Sequence, residues 1–380
     1  MKLDILIRNG MVIDPASKTQ KIANVGVKDG LCTGIYEQAN VPESKQEIDA
    51  TGCLVTPGLI DSHIHVFYGG TENGIVPDCT LIPMGVTTAV DQGSAGAGNF
   101  EVFYESVISK SKMHIFANLN ISTQGLITST YPENLEPQYV NVSAIDRLFH
   151  KYPNILQGIK VRISKELVGS LGMLPLEKAL EVSEKLGVKI SAHTTNPPVN
   201  IAELVKYFRK GDIYSHVFQQ QGFNIIDKNG KIYTELLNAR QKGVIFDAAD
   251  GRVHYSLSNI KAALAQQFYP DLISTDLVQG SVFQIGFFGL PRLMSKYLAL
   301  GMPIQEIIGA VTHRAAQAIN KEKELGTLQA GACADIAIFE LKPSSLYMTD
   351  RFGESINLEK IFVPQCTILE GEVVYRQCDF

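Results

Sequence analysis

The string Asp61-Ser62-His63-Ile64-His65 puts two imidazoles two residues apart at the end of a short apolar run. In an extended strand alternate side chains share a face, so both rings can leave the chain on one side and reach one ion. Imidazole suits zinc and its first-row neighbours, and two ring nitrogens with a carboxylate leave a coordination position for water or substrate. On its own, such a pair is more often two half-buried strand histidines. Here, however, four of the eight histidines end apolar runs: His63, His65, His193 after Lys189-Ile190-Ser191-Ala192, and His216 after Ile213-Tyr214-Ser215.

Lys160 stands between β-branched neighbours in Gly158-Ile159-Lys160-Val161-Arg162-Ile163. On a buried strand its ammonium would be desolvated, which is costly unless the charge is paired or given up. The free amine is a nucleophile. Reaction with carbon dioxide would give a carbamate, an anion able to bridge two ions. A lysine reaching along the surface is the plainer alternative at this spacing. Asp276 closes the last run, Leu272-Ile273-Ser274-Thr275. Aspartate at a strand end is commonly a turn or capping residue, and only its company raises it to ligand and base.

Strand-like runs alternating with helical patterns must position these residues. Eight such runs stand out: Leu59 to Val66, Thr87 to Gln92, His114 to Ser122, Gly158 to Ile163, Lys189 to His193, Asp212 to Phe218, Gly243 to Ala248 and Asp271 to Asp276. The clearest helical patterns are Pro175 to Leu186, Asn200 to Arg209, Ser258 to Phe268, Pro291 to Leu300 and Pro303 to Asn320. Alternation of this kind predicts an α/β fold with a parallel sheet, and eight units close a (β/α)8 TIM-type barrel over residues 57–324. All six candidate ligands then fall at the C-terminal ends of strands, the face on which such barrels do chemistry. Residues 1–56 and 325–380 read instead as short strands broken by turns, with Asn9-Gly10 predicting a tight hairpin, so both termini build one small composite β-sandwich domain.

Composition fits a large enzyme, with 45% hydrophobic and 19% charged residues and a formal net charge of −5. No block of like charges marks a nucleic-acid or membrane partner, no apolar run approaches about 18 residues, and Met1 to Arg8 lack a signal-peptide core, so a cytoplasmic chain is expected. The six cysteines contain no CxxC pair and are expected to be reduced.

Together Pro57-Gly58-Leu59-Ile60-Asp61-Ser62-His63-Ile64-His65, Lys160, His193, His216 and Asp276 resemble the amidohydrolase superfamily, in its binuclear branch with dihydroorotase, hydantoinase and urease relatives. Asp4-Ile5-Leu6-Ile7-Arg8-Asn9-Gly10 and Gly331-Ala332-Cys333-Ala334-Asp335-Ile336-Ala337 resemble the segments of that family's small β domain. His63-Ile64-His65-Val66-Phe67-Tyr68-Gly69-Gly70 and Ser274-Thr275-Asp276-Leu277 look most like its deacetylase-type metallohydrolases, members of which have been labelled dihydroorotase or adenine deaminase by distant similarity.

The resemblance implies two divalent ions, zinc being the expected metal, with His63, His65 and Asp276 on one, His193 and His216 on the other, and Lys160 bridging as a carbamate. It further implies a hydroxide nucleophile, Asp276 as general base and then acid, and hydrolysis of a small amide or ester such as an N-acyl or O-acyl carboxylic acid. Cyclic-amide hydrolysis is the near rival, adenine deamination a further one, and a catalytically dead scaffold relative the non-enzyme alternative. Arg162 and Arg252 are candidates to hold a substrate carboxylate, and Tyr68 to donate to a substrate oxygen. The glycine-rich Asp91 to Gly98 could let backbone amides approach a ligand or be an ordinary turn, and His114, His150 and His254 are read as ordinary. By analogy with relatives, a homo-oligomer is open.

Overall fold

The computed structural model describes residues 2–37, 41–282 and 289–380. Near the N-terminus lie β1 (Leu3–Asp14), β2 (Thr19–Lys28), β3 (Leu31–Tyr36), β4 (Ser44–Asp49) and β5 (Leu54–Pro57). They are followed by β6 (Leu59–Ile64), β7 (Val86–Gly96), β8 (His114–Asn120), β9 (Leu156–Arg162), β10 (Lys189–His193), β11 (Ile213–Ser215) and β12 (Ile245–Asp247), and the chain finishes with β13 (Ile336–Thr349), β14 (Ser355–Leu369) and β15 (Glu372–Arg376). The first five and last three strands form one eight-stranded sheet, ordered β15-β14-β13-β5-β1-β2-β3 with β4 on β1. Where the sequence predicts a two-layer sandwich, the hydrogen bonding is continuous. Ile5, Ile7, Val25, Val55, Ile336 and Ile338 gather in this sheet's own apolar cluster.

Asn9-Gly10 does not make the hairpin its residue types predict. Asn9 takes a left-handed φ of 61°, and β1 runs on through a register shift between Ile7 and Gly10. Before the bulge β1 pairs with β4, and after it with β5. A left-handed asparagine serves a bulge as readily as a turn. Gly10 has no room for more than hydrogen, since a Cβ there would lie 2.4 Å from Val55.

β6 to β12 form a parallel sheet in chain order. Every residue of β7 is buried, as expected of a strand covered on both faces. The eighth predicted run is not a regular strand. Residues 271–277 make isolated parallel bridges to both edges, Asp247 with Leu272 and Ile64 with Leu277. The ladder fails because the N–H of Thr275 is taken by the Asp61 carboxylate at 3.0 Å and Asp276 has a φ of 48°.

Helices pack outside this sheet. Leu174–Leu186 starts with proline in its first turn, buries Leu176, Ala179 and Val182, and ends at Gly187 with φ 67°, a helix stop that costs glycine nothing. The helix predicted over Pro303 to Asn320 is two, Ile304–Ala310 and His313–Ala318. It breaks where the Val311 carbonyl turns to accept the N–H of Ile60 at 2.8 Å. Among the described residues no helix is long and apolar enough to cross a membrane.

Candidate metal centre

All six predicted ligands converge at the C-terminal ends of the parallel strands. His63 comes from β6 and His65 from just beyond it, Lys160 from β9, His193 from β10, His216 from just after β11, and Asp276 from the segment closing beside β6. The donor atoms of His63, His65 and Asp276 lie within 4.8 Å of one another, as do those of His193, His216 and His254. Lys160, 1% exposed, brings Nζ to 3.1 Å from His63 Nε2. The His63 and His216 rings stand 5.1 Å apart by centroid, and His193 and His216 4.1 Å apart.

Three of the four rings are aimed by a partner on the far side. His63 Nδ1 lies 3.1 Å from Asp247 Oδ2, His65 Nδ1 2.9 Å from Ser94 Oγ, and His216 Nδ1 2.7 Å from the Ala249 carbonyl. Asp61 accepts from both the N–H and the hydroxyl of Thr275, fastening the residue before Asp276 to β6. His216, Ala249 and Asp276 all have left-handed φ, 64°, 41° and 48°. Such conformations are uncommon for residues with a side chain and gather at functional sites.

Burial governs the charges. It holds His63, His193 and His216 well below the usual imidazole range, with neighbouring cationic groups acting the same way. It pushes Lys160 down to about 8, against the pull of Asp276 and Asp247. It raises Asp247 to about 7. Burial is the largest single influence on Asp276 and acts in the same upward direction, yet His65 Nε2 at 3.2 Å, His216 and His254 together outweigh it and keep this carboxyl below the ordinary range.

These residues fit divalent metal. The Ala249 carbonyl is an acceptor, so the His216 proton sits on Nδ1 and the lone pair of Nε2 points into the cluster, where that atom is buried without a hydrogen-bond partner. His63 is set likewise by Asp247, leaving its Nε2 lone pair toward Lys160. Neutral imidazoles oriented by acceptors on their outer nitrogens are what metal ligation requires.

A cavity of about 430 Å³ opens over the centre, lined by His63, His65, Lys160, His193, Asp276 and also Arg162. Arg162 Nη1 donates to Glu133 Oε2 at 3.1 Å. Two other candidates lie elsewhere. Tyr68, half-exposed past the end of β6, lines a separate hollow with Val76 and Pro77, because the chain turns away after Phe67. Arg252 is half-buried in the turn after β12 and is not among the residues lining this cavity. The glycine-rich run after the second strand is no loop. Asp91 to Gly96 continue β7, and Gly93, φ 73°, makes room for the Lys160 stem, since a Cβ would lie 2.7 Å from Lys160 Cβ.

His254 is the chief correction. It is no ordinary histidine: Nδ1 lies 3.0 Å from Thr195 Oγ1, Nε2 3.6 Å from Asp276 Oδ2, and the ring packs 4.4 Å from that of His216. Glu133, from the long segment between β8 and the next helix, is a second cavity residue that the sequence reading passed over. Neither ends an apolar run, the signal that exposed the four other histidines and Asp276.

The chain is similar to known proteins over nearly its whole length. The chain is 31% identical to a deacetylase of Brucella anthropi over 348 residues, covering 91% of this chain and 86% of that protein. A crystal structure of an adenine deaminase superposes with TM-score 0.90 at 26% identity, covering 99% of this chain and all of that one. A crystal structure of a dihydroorotase gives 0.87 at 28% identity, covering 98% and 99%. Residues 54–374 match the model of the amidohydrolase family, and to that family the chain belongs.

Proposed function

We propose that this amidohydrolase, a hydrolase of carbon–nitrogen bonds, is a binuclear deacetylase-like enzyme acting on small N-acyl or O-acyl carboxylic acids. The observation that carries the reading is Lys160, buried 3.1 Å from His63 Nε2 and lining the same cavity as His65 and His193, with its amine pushed toward neutrality. Held as a carbamate, it would bridge two zinc-like ions, one on His63, His65 and Asp276 and the other on His193 and His216. Such ions, when bound, supply Lewis acidity toward the acyl carbonyl and a hydroxide nucleophile at neutral pH. We read residues 57–324, with 271–277 as the eighth barrel member, as the catalytic unit, and 1–56 with 325–380 as its companion β domain.

The chain's own residues do the rest. Asp276 accepts the proton of the attacking hydroxide as the new carbon–oxygen bond forms, and returns it to the leaving nitrogen or oxygen as the acyl bond breaks. His254 Nε2 faces that carboxylate, 3.6 Å from Asp276 Oδ2, and steadies its charge across the step. The products are the free carboxylate of the acyl group and the amine or alcohol. Only Nη1 of Arg162 is engaged among the described residues, so the rest of its fork is available to a substrate carboxylate. The cavity size suits a small molecule.

The likeness to solved structures titled adenine deaminase and dihydroorotase favours a second reading, attack on a cyclic amide or on adenine at the same centre. Metal content per chain on protein prepared with bicarbonate, wild type against Lys160→Ala, tests the bridge. About two ions falling sharply in the variant is the expected result, and one ion indifferent to the substitution overturns it. A panel of N-acetyl and O-acetyl acids, cyclic amides and adenine then separates the two chemistries.

A further inference from the structure

A different cluster lies at the far end of the parallel strands, where β8 begins. His114, its first residue, meets Cys333 and Asp335 from the segment entering β13. Their three donor atoms lie within 4.8 Å of one another. His114 Nε2 is 3.2 Å from Asp335 Oδ2 and 4.0 Å from Cys333 Sγ, and Sγ is 3.3 Å from Asp335 Oδ1.

The carboxylate is the informative member. Asp335 is 2% exposed, and its Oδ1 is used, accepting the N–H of Glu370 at 2.9 Å and facing the Cys333 thiol. Oδ2 is buried with no hydrogen-bond partner, although it points at His114, whose Nε2 lies near but outside hydrogen-bonding geometry. A buried carboxylate oxygen facing an imidazole nitrogen at this range is compensated either by a protonated ring or by a cation that both atoms share. Its separation from Nε2 is close to the roughly 3.3 Å expected between a nitrogen and an oxygen sharing a tetrahedral ion. Glu370 Oε1, 3.9 Å from Nε2, stands where a fourth ligand would approach. A cavity of about 310 Å³, lined by His114, Cys333, Glu370 and Glu324, leads in from solvent.

We propose that His114, Cys333 and Asp335 form a second metal site, separate from the hydrolytic centre, that binds one zinc-like divalent ion with Glu370 or water as fourth ligand. One imidazole, one thiolate and one carboxylate are the donor set such an ion takes in preference to calcium or magnesium. On binding, the Cys333 S–H proton leaves to solvent and the sulfur coordinates as thiolate; no oxidation is involved. The ion would join β8 of the parallel sheet to the entry of β13 and the turn after β14, and so clamp the two sheets together.

Cobalt(II) tests this without reference to turnover, because the hydrolytic centre contains no sulfur. Protein stripped by chelator and reloaded with cobalt should show a thiolate-to-metal charge-transfer band in the near ultraviolet. The band should disappear in Cys333→Ser and in His114→Ala and persist in Lys160→Ala, which separates this site from the proposed bridged centre. Cys333→Ser should also bind one cobalt fewer per chain and keep its hydrolytic activity. No band in the wild type, or a band that survives Cys333→Ser and is lost instead in Cys79→Ser, one of the exposed thiols, overturns the proposal.

Discussion

Asp247 Oδ2 lies 3.1 Å from His63 Nδ1, while the other oxygen of the same carboxylate accepts the Ser274 hydroxyl at 2.6 Å. One side chain at the end of β12 thus fixes both the tautomer of a candidate ligand on β6 and the approach of the segment that carries Asp276. Replacing it with alanine should lower metal affinity or turnover by about 10–100-fold while the fold survives. Metal titration of the stripped variant, with circular dichroism alongside, decides; wild-type affinity would strip Asp247 of this role.

Asp276→Asn should separate proton transfer from structure. We expect kcat to fall by about 10²–10⁴-fold, the usual range for loss of a general base, with metal content reduced less severely. Steady-state kinetics with metal analysis on the same sample is the check, and unchanged kcat would remove Asp276 from the mechanism.

For His254, the nitrogen facing Asp276 is 3.6 Å away, and the residue stands outside the predicted set of six ligands. His254→Ala is therefore expected to keep its metal and lose kcat, with KM little changed. A variant that instead loses one ion per chain would make this histidine a ligand of the second group.

Gly93 and Lys160 are packed stem against backbone. Gly93→Ala meets Lys160 Cβ at 2.7 Å and must hold a φ near 73°, so we expect a loss of about 1–3 kcal/mol in stability and poor metal loading. Thermal melting of the stripped and loaded forms measures both, and an alanine variant that loads fully would show that the lysine stem can shift.

Lys296 Nζ lies 2.7 Å from Asp250 Oδ2 with both side chains fully buried, the ammonium also 3.9 Å from the centre of the Tyr255 ring. Lys296→Met alone leaves a buried carboxylate unpaired and should cost about 3–5 kcal/mol, whereas adding Asp250→Leu should recover much of that. Denaturant unfolding of the single and double variants compares them; equal stability of both would show that Asp250 is compensated elsewhere.

How far the sequence reaches is clear from particular residues. His63, His65, His193 and His216 were legible because each ends an apolar run, and runs of that kind become the parallel strands of this sheet. Lys160 was legible because a lysine amid β-branched residues has nowhere to put its charge. His254 sits instead in the turn after β12, and Glu133 in the long segment after β8, where no periodicity marks a side chain as inward. Asn9-Gly10 misled because the same left-handed geometry serves a hairpin and a bulge. The eighth run failed as a strand because a side chain, Asp61, took the backbone donor that a ladder needs.

The pairing of β5 with β13 joins Pro57 to Ile336 across most of the chain. While the polypeptide is being made, β1 and β2 can zip up locally, but β5 has no outer partner until the residues of β13 have emerged from the ribosome. Until then an apolar strand edge stands open beside a catalytic unit already largely synthesised, and closing so long a loop is slow. Covering that edge therefore requires a docking of late chain onto early chain, and a nascent copy with the edge still open carries the kind of surface on which neighbours misassociate.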